Sequence, residues 1–91
     1  MSVTVRVPTI LRTYTGGAAE VAVEGGTLAE VVGALESAYP GIGPRVLDDE
    51  GRLRRFVNVY VGDEDVRFAE GLQTATPAGS TVSVIPAVAG G

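Results

Sequence analysis

A chain of 91 residues with 11 acidic and 7 basic side chains, net charge −4, and neither cysteine nor histidine lacks most familiar catalytic kits: no thiol nucleophile, no cysteine-held metal cluster, no disulfide framework and no imidazole to move protons near neutral pH. At this length one modest core forms, burying roughly 60 to 65 per cent of the unfolded surface, and a deep enclosed active site is hard to build. The acidic balance argues against nucleic acid, which draws its affinity from clustered cations, and predicts steering toward basic partner clefts.

Val3, Val5 and Val7 alternate with Thr4 and Arg6, the period-two pattern of a strand with one buried face, and Pro8 closes it. After a loop containing Gly16-Gly17, Glu20–Glu24 repeats the alternation with charges outward and valines inward, so the first two strands are expected to pair as a hairpin. Gly25-Gly26 ends the second. Thr27-Leu28-Ala29-Glu30 reads as a helix start, with Thr27 capping an orphan N–H and Glu30 reaching back to the cap's own N–H. Leu28, Val31, Val32, Leu35 and Tyr39 then form one apolar stripe, and Pro40-Gly41 stops the helix.

Ile42 to Arg54 is a connection with room for one short helical turn after Pro44. Phe56 to Val61, dense in β-branched and aromatic residues, is the strongest strand in the chain. Gly62 to Asp65 turns it, Val66-Arg67-Phe68 reads as a short return strand, and Thr81 to Pro86 is a last strand after the turn at Pro77-Ala78-Gly79. There is no internal repeat. No apolar run approaches membrane-spanning length, and the N-terminal residues enter structure at once, so the expected location is the cytoplasm.

Two strands, one helix, then two or three strands fit an α+β, ubiquitin-like β-grasp. Its mixed four- or five-stranded sheet would be packed on one main helix, with the terminal strands side by side at the centre. The expected division is a β-grasp domain over residues 1–86 and a flexible C-terminal tail over residues 87–91.

Two features carry candidate function. The tail Ala87-Val88-Ala89-Gly90-Gly91 follows Pro86 directly and thins toward its end, as suits a chain end that threads a narrow channel, since glycine has no Cβ to collide with the walls. Taken alone, a terminal Gly-Gly is also what an inconsequential frayed end looks like. The second feature is the outer sheet face. If Val57, Val59 and Val61 point at the helix, then Phe56 and Tyr60 point away. By the same alternation Val82 and Val84 turn inward while Ile85 turns outward. Phe56, Tyr60 and Ile85 then form either an exposed docking patch or a patch covered by a loop such as that around Leu72. Arg52, Arg54 and Arg55 read as a solvated rim. No residue is a candidate catalyst or metal ligand.

The closing Ile85-Pro86-Ala87-Val88-Ala89-Gly90-Gly91 resembles the ending of the MoaD/ThiS family of ubiquitin-like sulfur carriers. The segment from Arg55 to Phe68 and the opening Val5 to Arg12 are most similar to its CysO-type branch, which serves cysteine biosynthesis. The resemblance implies that Gly91 is the sulfur attachment point, with Val88, Ala89 and Gly90 recognised as the tail. It also implies that the chain is a protein substrate and carrier and not an enzyme. An E1-like adenylyltransferase/sulfurtransferase would use ATP to adenylate Gly91 and convert it to a thiocarboxylate. A PLP-dependent cysteine synthase, with its own pyridoxal phosphate, would accept the sulfur, and a JAMM-type metalloprotease would release the product; no cofactor is bound by the carrier. Open alternatives are a carrier for molybdopterin or thiamin thiazole synthesis, a ubiquitin-like modifier joined to target lysines, and a plain β-grasp binding module.

Overall fold

The computed structural model describes residues 2–55 and 57–86. Its strands are β1 (Ser2–Arg6), β2 (Glu20–Glu24), β3 (Val57–Val61), β4 (Glu64–Asp65) and β5 (Thr81–Pro86), and its helices are α1 (Leu28–Ala38) and the short α2 (Gly43–Val46). They form one five-stranded sheet in the order β2-β1-β5-β3-β4. β1 and β5 run parallel at its centre, with Val5 beside Val82, and the other pairs are antiparallel. This is the β-grasp arrangement expected from the sequence.

The alternation that forms the strands also divides the sheet into two faces. Val3, Val5, Val21, Val23, Val57, Val59, Val82 and Val84 are all buried beneath α1, which contributes Leu28, Val31, Val32 and Leu35. Valine is stiff at χ1 and packs well on a pleated surface, so a core rich in it reinforces strand geometry while supplying apolar area. Tyr39 is the C-cap of α1 and packs half-buried at the core margin.

The helix start follows its sequence signature with one difference. Thr27 Oγ1 accepts the N–H of Glu30 at 3.3 Å, but the Glu30 carboxylate accepts the N–H of Gly26, at 2.7 Å, rather than that of Thr27. The later segment around Thr76 clips the same helix end. Leu28 N–H donates to Thr74 O at 2.9 Å, and the buried Thr76 hydroxyl donates to Gly25 O at 2.8 Å. Gly25 must be glycine, because a Cβ there would lie 2.8 Å from Val31 N. At the other end Gly41 takes φ 103°, and the Glu36 carboxylate accepts the N–H groups of Gly41 and Gly43.

Val66-Arg67-Phe68 is not a strand. The return strand is Glu64–Asp65, and Val66–Phe68 is a 3₁₀ turn capped by Asp65, whose carboxylate accepts the N–H of Arg67 at 2.9 Å. That cap competes with the ladder for the backbone. The turn buries Val66 completely and leaves Phe68 87% exposed.

Candidate functional site: the outer sheet face and the base of the tail

Strand direction sorts the molecule into two ends. β1 and β5 run toward the end where β2 and β3 begin, so Arg6, Glu20, Val57 and Pro86 share one end of the sheet. The chain passes into residues 87–91 from there. Ser2, Glu24, Val61 and Thr81 mark the opposite end, where α1 also starts.

On the face away from α1, Ile85 stands directly opposite Asn58, and Tyr60 stands opposite Ser83. Ile85 is 47% exposed, and Tyr60 is half-buried outside the core. In this register the two are diagonal neighbours, within reach for an aromatic side chain. Leu72 does not cover them. It packs against the core in the 3₁₀ turn Gly71–Gln73, which contacts α1 on the other side of the sheet. Phe56 and the tail residues Val88, Ala89, Gly90 and Gly91 lie outside the described residues.

The structure adds neighbours that the sequence did not single out. A 3₁₀ turn at Thr9–Leu11 buries Leu11 and leaves Ile10 63% exposed. Ile10, Pro8, Arg6, Arg12 and Ile85 line an open groove of about 750 Å³ on the outer face, beside the base of the tail. The adjacent apolar pair Ile10-Leu11, just beyond Pro8-Thr9, was the available signal, since a tight turn can bury only one of them.

The second addition is Arg67. Its guanidinium donates to Asn58 Oδ1 at 3.0 Å and to the carbonyls of Arg54, Arg55 and Val57 at 3.0, 3.0 and 2.8 Å. It thereby pins the entry of β3 on the other flank of Ile85. A planar five-donor fork suits such a set of acceptors.

Among the described residues no cluster of three metal-ligating side chains occurs, and no helix is long and apolar enough to cross a membrane. One carboxyl is held below its ordinary range. Asp48 is stabilised as the anion first by the N–H of Arg52, against an opposing effect of desolvation, and then by the N–H of Glu50 and the charges of Arg52 and Arg54. This is turn chemistry, with Asp48 Oδ1 accepting from Glu50 and Arg52 at 2.9 and 3.0 Å. Ile10 and Ile85 thus stand exposed on the outer side of the sheet, with Tyr60 half-buried beside Ile85.

A family model described as the ThiS family matches residues 5–91. The chain belongs to the ThiS family. It is 54% identical over 93 residues, the full length of both chains, to the sulfur carrier protein CysO of Mycobacterium tuberculosis. Its structure matches a chain of the crystal structure of the Amycolatopsis orientalis BexX/CysO complex with a TM-score of 0.92 and 50% identity, covering 98% of this chain and 99% of that one. It is also 38% identical over 65 residues to the small archaeal modifier protein 3 of Haloferax volcanii, covering 71% of this chain and 70% of that one. As a ThiS-family member it has the ubiquitin-like fold and the CysO likeness that the segments Val5–Arg12 and Arg55–Phe68 carried in the sequence.

Proposed function

We propose that this chain is a sulfur carrier whose reacting group is the carboxylate of Gly91, with residues 1–86 serving as the address and residues 87–91 as the reacting arm. The observation that carries the reading is the full-length identity of 54% with a sulfur carrier protein. The open outer face at Ile85 and Tyr60, beside the base of the arm, supports it.

A carboxylate resists nucleophiles because it is negatively charged and would have to expel oxide. In the proposed cycle an E1-like partner lets a Gly91 oxygen attack the α-phosphorus of ATP, releasing pyrophosphate and leaving an acyl-adenylate. A sulfur donor then displaces AMP to give the thiocarboxylate. Its sulfur is a nucleophile at neutral pH, and the acceptor is an aminoacrylate held in a PLP-dependent cysteine synthase, whose cofactor serves as electron sink. Acyl transfer from sulfur to nitrogen leaves cysteine amide-linked to Gly91, and a JAMM-type metalloprotease hydrolyses that bond. The carrier supplies docking and the chain end; its partners supply the catalysis. These steps place it in the cytoplasm.

Because the chain has no cysteine, a thiol-alkylating reagent reacts only at a thiocarboxylate or at the thiol of a cysteine carried on Gly91, and mass separates the two. Protein from the native host is expected to take up one equivalent of iodoacetamide at its C-terminus, and the cysteine adduct is expected as an added mass at Gly91. Covalent attachment to target lysines with no alkylatable species would instead assign the chain as a modifier. Sulfur loading without any cysteine adduct would move the acceptor to molybdopterin or thiazole synthesis.

A further inference from the structure

In the pairing of β3 with β5, Gly62 N–H donates to Thr81 O at 2.8 Å, in the register that sets Tyr60 opposite Ser83 and Asn58 opposite Ile85. Hydrogen-bonded and non-hydrogen-bonded pairs alternate along an antiparallel ladder. Asn58 and Ile85 therefore make its last hydrogen-bonded rung, and the carbonyl of Val57 faces away from β5. Pro86 has no N–H with which to extend the ladder. β4 lies on the far side of β3, but it is two residues long and pairs only with Tyr60 and Val61. Among the described residues, then, no strand covers the edge of β3 at Val57. Arg67 fills that place. Its Nη2 donates to Val57 O at 2.8 Å and to the carbonyls of Arg54 and Arg55 at 3.0 Å each, while Nη1 donates to Asn58 Oδ1 at 3.0 Å. The position of Arg67 is itself fixed, by the buried Val66 beside it and by the Asp65 carboxylate that accepts its N–H.

We infer that Arg67 is a positioning residue for the reaction proposed above: it holds the Asn58–Ile85 rung closed and so fixes where the folded body ends and the arm carrying Gly91 begins. The inference rests on the reading of Gly91 as the reacting end. Residues 87–91 are few, and five extended residues reach at most about 17–18 Å. If the rung opens and one more residue joins the arm, its reach grows by roughly 3.3–3.6 Å. Reacting groups tolerate misplacement of only about 1 Å before rates fall steeply. A single lost rung therefore exceeds the tolerance of the chemistry while leaving the core closed. A lysine in this place brings one ammonium, which cannot hold Asn58 and three carbonyls together as a planar guanidinium does.

Two readouts on the full-length chain, both taken well below the unfolding transition, separate positioning from simple stabilisation. The first is amide hydrogen exchange. In Arg67→Ala the Ile85 N–H is expected to exchange about tenfold or more faster relative to that of Val82 at the centre of the sheet, because the opening is local. The second is ATP–pyrophosphate exchange by the purified activating enzyme of the same host. Arg67→Ala is expected to lower kcat about tenfold with KM within about threefold of wild type, since the loss falls on presentation of the chain end. Arg67→Lys should recover part of that loss. Gly25→Ala, which crowds Val31 at the opposite end of the sheet, is expected to keep the wild-type kcat although it too destabilises the fold. Wild-type kcat in Arg67→Ala, or an Ile85 amide no faster relative to Val82, overturns the positioning role and leaves the carrier reading intact. An equal loss of kcat in Gly25→Ala assigns the effect to stability and overturns it as well. No exchange with the wild-type chain overturns the carrier reading and, with it, the role given to Arg67.

Discussion

Val57 and Pro86, the first residue of β3 and the last of β5, stand directly opposite each other. Pro86 has no N–H to offer, and the N–H of Val57 already donates to Arg54 O at 3.1 Å. The β3–β5 ladder therefore has no donor left at its last pair.

Removing Gly90 and Gly91 is expected to abolish thiocarboxylate formation and to leave the thermal midpoint within about 2 °C of wild type. Alkylation counts the first and calorimetry the second. A large drop in midpoint would mean that these residues serve the fold.

Tyr60→Ala and Ile85→Asp should each weaken binding to the activating partner at least fivefold, as loss of a central apolar contact does, on the order of 1 kcal/mol or more. Neither residue belongs to the buried core, so unfolding free energies should fall by about 1 kcal/mol or less. Isothermal titration paired with urea unfolding separates the two quantities.

Arg67→Ala removes the donor that holds Asn58 and the carbonyls of Arg54, Arg55 and Val57 together. A loss of about 1–2 kcal/mol in urea unfolding is expected. Arg67→Lys should recover only part of it, because an ammonium on a flexible stem cannot satisfy the set at once. Full recovery by lysine would reduce Arg67 to a simple charge.

Two glycines near α1 should respond with opposite signs. Gly25→Ala places a methyl 2.8 Å from Val31 N and should cost about 1–3 kcal/mol. Gly33, inside the helix, has open space where a Cβ would stand, and Gly33→Ala should stabilise by about 0.5–1 kcal/mol. Chemical denaturation of both variants gives the comparison.

The Asp48 carboxyl titrates below its ordinary value of 3.8 in the folded chain. A group with a depressed folded pKa contributes stability that is present above its unfolded pKa and lost as pH falls through the folded one. The stability difference between wild type and Asp48→Asn should therefore be constant above about pH 5 and shrink toward zero in more acidic solution. A difference that grows on acidification would contradict the turn's hydrogen-bond pattern.

The strands, the helix and the two faces of the sheet were legible because valine alternation at Val3–Val7, Val21–Val23, Val57–Val61 and Val82–Val84 states period and direction together. Ile85 and Tyr60 followed from the same alternation. Arg67 and Ile10 did not, because their roles depend on contacts far along the chain: Arg67 reaches Arg54 O across 13 positions. The short turn at Val66–Phe68 was misread as a strand because its β-branched and aromatic residues share strand composition, and only the Asp65 cap separates the two conformations.

The parallel pairing of β1 with β5 also sets a timetable. The centre of the sheet is completed by a strand synthesised long after its partner, so the hairpin of β1 and β2 must wait with an open edge until β5 arrives. Residues 87–91 follow that late strand directly. On the carrier reading proposed above, a copy in which β5 has not paired has not closed its core and lacks the folded surface by which an activating partner would accept it.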